Sequence, residues 1–176
     1  GVGKTNVLDA IYYLSFCKSF FNHNDFHSIR YGSDFFALHG DYLIKGVEEK
    51  ISCVLKEGGK KQIKHSGKLY TRHSEHIGRI PVVMIAPNDH ILITGGSDVR
   101  RKFVDQIISQ QDSLYLQNLI RYNKAIEQRN KLLKSFQIYH SVDEVNLLIW
   151  EEQIAVYGKF IKKKRKNFFE KFLEPM

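Results

Sequence analysis

The chain begins Gly1-Val2-Gly3-Lys4-Thr5 and passes at once into Asn6-Val7-Leu8-Asp9-Ala10-Ile11-Tyr12-Tyr13-Leu14-Ser15-Phe16. Val7, Leu8, Ala10, Ile11 and Leu14 recur near helical spacing, which predicts a helix from Gly3 to Phe16 with those residues as its apolar face. A glycine-lysine-threonine step that opens a helix matches the second half of GxxxxGK[ST], a phosphate-binding turn between a strand and a helix. The first glycine and the strand before it are missing from the sequence as it stands. The residue types suit that chemistry. Gly3 lets the backbone come close to phosphate oxygens. The N–H groups from Gly1 to Thr5 would face a β-phosphate, and the helix dipole favours an anion there. Lys4 would reach the β- and γ-phosphates, and the Thr5 hydroxyl would bind Mg2+. Three residues of a short motif also occur in plain N-terminal turns, so at this point both readings stand.

The pattern then turns to β. Phe35 to Ile44 reads as a strand broken at Gly40, and Ile51, Cys53 and Leu55 alternate with Ser52, Val54 and Lys56 as in a half-buried strand. Glu57 to Lys60 and Ser66-Gly67 read as hairpin turns. The apolar run Ile80 to Ile85 predicts a buried strand, stopped by Ala86-Pro87-Asn88-Asp89. After Gly95-Gly96, Ser97 or Asp98 is placed to cap a helix whose apolar side is Val99, Phe103, Ile107 and Ile108. Two longer helices follow. One spans Asp112 to Lys134, with Leu116, Leu119, Ile120, Ile126 and Leu133 inward. The other spans Val142 to Phe172, with Leu148, Ile154, Ile161, Phe168 and Phe172 inward. The chain therefore reads as α/β first and helical hairpin second.

Charge narrows the partners. Lysine and arginine number 27 against 19 acids, a formal charge of +8, which favours an anionic partner such as nucleotide or nucleic acid. Lys162, Lys163, Lys164, Arg165 and Lys166 form a block on the last helix, readable as DNA phosphate contacts or as a solvated face. Lys56, Lys60, Lys61, Lys64 and Lys68 would extend a basic track over the hairpins. Arg100 and Arg101 open a helix against its dipole, so they either pair with Asp98 or Asp105 or face an anion. The two cysteines, Cys17 and Cys53, fit no metal or disulfide pattern and read as buried small hydrophobes in a cytoplasmic protein. His65, His73 and His76 lack the cysteine or carboxylate partners of a zinc set. No apolar run is long enough to span a bilayer.

Three stretches, met in order, resemble a known family. They are GVGKTNVLDAIYYLS, IPVVMIAPNDHILITGGSDVRRKFVD and YNKAIEQRNKLLK. Together they are similar to the RecF family of bacterial recombination mediators, with Arg100-Arg101 and Gln128-Arg129-Asn130 in register. The resemblance covers nearly the whole chain. It implies a partial ABC-type ATPase head, a mixed sheet with antiparallel ribbons, followed by a helical arm. Residues 1–111 would be the N-terminal lobe of the head, without its first strand, and 112–176 the start of the arm. It implies ATP on Gly1, Val2, Gly3, Lys4, Thr5 and Asn6, with Mg2+ on Thr5. By analogy with related heads, Asn88 or Asp89 would contact the metal or the attacking water. The segment Lys18-Ser19-Phe20-Phe21 departs from the family, which is polar and basic there.

The resemblance further implies an ATP-driven homodimer that binds gapped or junction DNA together with RecR and RecO, in recombinational repair and at replication forks. The whole protein would be a slow DNA-dependent ATPase. The family's later catalytic motifs do not follow here, so this chain reads as an N-terminal piece, inactive alone. Two alternatives remain at this stage: another SMC-like or OLD-like ATPase head, and a non-enzymatic DNA-binding module in which GKT is accidental.

Overall fold

The computed structural model describes residues 3–139 and 143–172. The chain divides into two units, Gly1–Asp89 and His90–Met176. In the first, helix α1 (Lys4–Phe16) precedes strands β1 (Phe35–Ile44), β2 (Val47–Lys56), β3 (Gln62–His65) and β4 (Lys68–Leu69). The strands pair in sequence order and are antiparallel throughout. Two of the turns need positive φ at both central residues. Lys45 and Gly46 (φ 51 and 81) join β1 to β2, and Ser66 and Gly67 (φ 46 and 84) join β3 to β4. Each ends a two-residue hairpin whose backbone follows the sheet twist.

The first core lies where the second half of α1 meets the sheet. Tyr13, Leu14 and Cys17 pack with Ile51, Cys53 and Ile63, and Cys53 faces Ile63 across the β2–β3 register. Burying each isoleucine contributes about 1.5–3 kcal/mol. Both cysteines are free and buried, and burial pushes each thiol up to about 12. Only the later turns of α1 reach this core, so Val7, Leu8 and Ile11, expected on the inner face, are exposed.

β1 runs unbroken through Gly40, against the expected interruption. The glycine is there for space. A Cβ would lie 2.6 Å from Tyr42 Cε2 and 2.8 Å from Leu14 Cδ1. Gly40→Ala is therefore expected to destabilise the protein by about 1–3 kcal/mol through overpacking, read as a lower urea midpoint. An unchanged midpoint would show that the Tyr42 ring yields freely.

The run from Ile80 to Ile85 is not a strand. Its burial alternates as in extended chain, with Val83 67% and Ile85 85% exposed, but no strand pairs with it among the described residues. Apolar composition favours a strand, yet only a neighbouring backbone supplies the ladder. The Ser15 hydroxyl donates to the Ile80 carbonyl and ties the start of the run to α1. His76, fully buried, donates from Nε2 to the Leu14 carbonyl at 2.6 Å, and burial lowers its pKa, so it sits there neutral.

The second unit holds α2 (Ile91–Thr94), α3 (Ser97–Gln111), α4 (Ser113–Tyr139) and α5 (Glu144–Phe172). Val104 and Ile108 of α3 pack with Tyr115 and Ile161, while Phe103 is exposed. Ile108 is thus buried as expected and Val99 and Ile107 are half-buried, while Val104 takes the inward place expected of Phe103. Ile120, Leu148 and Phe172 likewise lie outward, whereas Ile161 is buried as expected. The N-cap of α3 is Gly96, with no side-chain cap, in place of Ser97 or Asp98. Asp112 caps α4 by accepting from the Tyr115 N–H at 2.9 Å. The α3 helix, placed with the head in the sequence reading, packs here on α4 and α5.

Candidate phosphate-binding loop and basic helix

Gly3 stands at φ 99, ψ −15 and is the N-cap of α1, with no side-chain hydrogen bond closing the helix end. That backbone region is open to glycine and strained for other residues. The Gly3 carbonyl accepts from the Val7 N–H at 3.1 Å, which starts the helical ladder. The N–H groups of the first turn have no intrahelical acceptor. Gly3, Lys4, Thr5 and Asn6 are exposed, and no acid stands in the first turn to neutralise the dipole. A free helix N-terminus with a lysine and a hydroxyl beside it fits an anionic phosphate. Gly1 and Val2, expected to complete the cradle, lie outside the described residues.

The loop after α1 is tied to its second turn. Asp9 accepts from the Phe20 N–H through Oδ1 and from the Ser19 hydroxyl through Oδ2, both at 2.7 Å. Ser19 Oγ in turn accepts from the N–H groups of Phe21 and Asn22. Phe20 sets its edge against Tyr12, which stacks on Phe16. Of the two aromatic residues that depart from the family pattern, Phe20 therefore packs along α1, and Phe21 sets its edge against Phe20 and is half exposed. A second lock joins the loop to α1 and to Lys61, the residue before β3. The Tyr13 hydroxyl donates to Asp25 at 2.7 Å, and Lys61 donates to both Asp25 and the Cys17 carbonyl. Lys61 is thus an internal residue and does not belong to a surface track.

Asp89 accepts from the Ala86 N–H at 2.8 Å through Oδ2 and returns its own N–H to the Ala86 carbonyl. Its carboxylate closes the turn Pro87–His90, while Asn88 is exposed. Among the described residues no group of three or more histidine, cysteine or acidic side chains is placed to hold a metal. Arg100 donates to the Gly95 carbonyl at 2.8 Å, so it serves the end of α2, and Arg101 donates to Ser97 at 2.7 Å. Neither takes Asp105. Arg129 pairs with Glu151 at 3.1 Å, an α4–α5 contact.

The basic block on α5 divides. Arg165 grips Asp105 with two parallel bonds of 2.7 Å, Nε to Oδ1 and Nη2 to Oδ2. The Tyr115 hydroxyl donates to the same carboxylate at 2.5 Å, and burial with that bond raises the phenol pKa. Lys164 donates to Asp112 at 2.6 Å and thereby holds that carboxyl below the usual range. These two cations bind α5 to α3 and to the cap of α4. Lys162, Lys163 and Lys166 face solvent. None of these pairings was visible in the sequence, because their partners lie 52 and 60 residues away.

No protein-family model matches the chain. Curated relatives match it closely. It is 49% identical over 173 residues to the DNA replication and repair protein RecF of Flavobacterium johnsoniae, covering 98% of this chain and 48% of that protein. It is 51% identical to RecF of Bacteroides thetaiotaomicron and 52% identical to RecF of Phocaeicola vulgatus, each over 174 residues and 46% of the relative's length. The chain thus spans about half the length of the curated relatives it matches. Among solved structures, the recombination mediator protein RecF with ATPrS in the RecFOR pathway superposes with a TM-score of 0.90 at 34% identity, over 97% of this chain and 46% of that one. The corresponding RecF-ATP structure gives 0.88 at the same identity.

Proposed function

We propose, from the premise that over the part it spans this chain belongs to the RecF family, that it forms the first lobe of an ATP-binding head acting on DNA in replication and repair. The observation that carries the reading is the glycine-lysine-threonine turn. It opens α1 on a left-handed glycine, with no acid or side-chain cap over the exposed N–H groups. Solved structures that superpose on the chain include RecF with ATP and with ATPrS.

In this reading Lys4 neutralises the β- and γ-phosphates, and the backbone N–H groups from Gly1 to Asn6 hold the phosphate oxygens. Thr5 offers its hydroxyl to Mg2+, which would supply charge neutralisation between the phosphates. Asp89 already closes its own turn, so Asn88 is the freer of the two candidate metal contacts. Residues 1–111 serve the head and 112–176 the arm. The exposed Val7, Leu8, Ile11, Val83 and Ile85 give apolar surface for further parts of a RecF-length protein to cover. The whole protein would dimerise on ATP, bind gapped DNA with RecR and RecO in the cytoplasm, and hydrolyse ATP slowly. In the described residues no helix is long and apolar enough to cross a membrane.

The test is a titration of the full chain with a fluorescent ATP analogue, with and without Mg2+. Mg2+ is expected to tighten binding roughly tenfold, about 1.4 kcal/mol. Thr5→Ala is expected to lose that gain while keeping its metal-free affinity. Equal Mg2+ gains in the parent and in Thr5→Ala would remove Thr5 from the site.

A further inference from the structure

Four lysines of α5 share one face. Lys159, Lys162, Lys163 and Lys166 stand at positions i, i+3, i+4 and i+7, and all four are exposed. On a helix that spacing places them within an arc of about 100° and along about 10 Å of axis. Residues 159–166 contain no acid. The two acids that meet this part of α5, Asp105 and Asp112, are taken by Arg165 and Lys164 from the inward side. Among the described residues Lys159, Lys162 and Lys163 have no ion-pair partner. Lys166 has only Glu170 at 3.5 Å, with both side chains mostly exposed, an arrangement that contributes little.

Folding does not account for this stripe. Like charges at i and i+4, as in Lys159/Lys163 and Lys162/Lys166, destabilise a helix by a few tenths of a kcal/mol each. The helix dipole favours cations only in the last turn, whereas Lys166 lies more than a turn before the end of α5 at Phe172. Between Lys159 and Lys166 the helix exposes no large aromatic or apolar residue of the kind that anchors protein–protein binding. What remains is a short line of exposed point charges, of which only Lys166 has an ion-pair partner among the described residues.

We propose that Lys159, Lys162, Lys163 and Lys166 form a contact stripe for the phosphate backbone of nucleic acid, read without regard to sequence. A duplex carries one negative charge per about 1.7 Å of axis, so about six phosphate charges would pass the stripe. Lysine suits them, because its ammonium acts as a point charge with no demand for a fixed fork geometry. The assignment moves the basic surface from the contiguous block at 162–166 to one helical face that gains Lys159 and drops Lys164 and Arg165. It rests on the nucleic-acid part of the proposed function and is independent of the nucleotide loop.

The experiment is fluorescence anisotropy of the full chain with a labelled duplex between about 50 and about 200 mM salt. Three proteins are compared: the parent, the quadruple change K159Q/K162Q/K163Q/K166Q, and a control of equal charge, K45Q/K102Q/K124Q/K134Q. The stripe protein is expected to lose about 3–4 from the slope of log affinity against log salt, and roughly a thousandfold in affinity near 0.1 M. The control should lose about one or less from the slope. Restoring charge with four arginines at the stripe should restore the slope. An unchanged slope in the stripe protein, or an equal loss in the control, overturns the stripe while leaving DNA binding by the parent in place. A parent that binds no duplex overturns both the stripe and the DNA part of the proposed function, and ATP binding measured on the same samples stands apart from either result.

Discussion

Arg165→Ala is expected to lower the unfolding free energy by about 2–4 kcal/mol, seen as a fall of about 1–2 M in the urea midpoint. The cause is the carboxylate left behind. Asp105 is 13% exposed, and Arg165 meets it with a two-bonded fork of 2.7 Å contacts. Without the guanidinium, Asp105 keeps one hydroxyl donor, Tyr115, whose ring is fully buried. An unpaired buried charge costs more than the pair contributes, so the loss exceeds that of a surface salt bridge. Arg165 is 23% exposed, which trims the figure below that of a wholly buried pair. The double change Asp105→Asn with Arg165→Leu removes the stranded charge and is expected to recover much of the loss. A single change costing under about 0.5 kcal/mol would mean that the fork adds nothing to the fold. The same substitution separates clamp from ligand contact. Arg165→Ala should leave the salt slope of DNA binding unchanged, because its guanidinium points inward.

The contrast between Arg165 and its neighbour Lys163 shows where reading the sequence stops. Local chemistry was legible. The GKT turn sits at the start of α1, Ser66-Gly67 takes the positive φ of a hairpin, and both long helices appear close to their expected spans. Each of these follows from residues within a turn or two of one another. Apart from the cap of α3, which falls on Gly96, the larger departures involve partners far along the chain. Ile80 to Ile85 has the composition of a strand, but pairing needs a second backbone that composition does not name. On α3, Ile108 is inward as expected but Val104 stands where Phe103 is expected, because Tyr115 and Ile161, which this face meets, lie on other helices. The block at 162–166 reads as a single feature because adjacent cations look alike in sequence. Helical phase and two acids contributed by α3 and the α4 cap divide it. Lys61 followed the same pattern, since it reads as a hairpin decoration and is claimed by Asp25, 36 residues earlier.

Lys4→Ala is expected to weaken ATP binding by the full chain roughly 10- to 100-fold, the value of about 1.5–3 kcal/mol for a hydrogen bond to a charged group. The lysine is exposed in the first turn of α1 and has no acid beside it there. Among the described residues its ammonium has no ion-pair partner whose loss would disturb the fold. Alanine is the better helix former, so the melting temperature should hold or rise slightly. That separation of affinity from stability is the strength of the test. A change at Gly3 would mix the two, because any side chain at φ 99 strains the backbone. DNA binding supplies the second readout. Without nucleotide, Lys4→Ala should bind duplex as the parent does, since the α5 stripe is untouched. With ATP added, any gain in DNA affinity shown by the parent should vanish in the variant. If ATP affinity is the same in both proteins, the GKT turn is a helix start without phosphate chemistry. Intact DNA binding with no ATP effect in either would then favour a DNA-binding module that works without nucleotide.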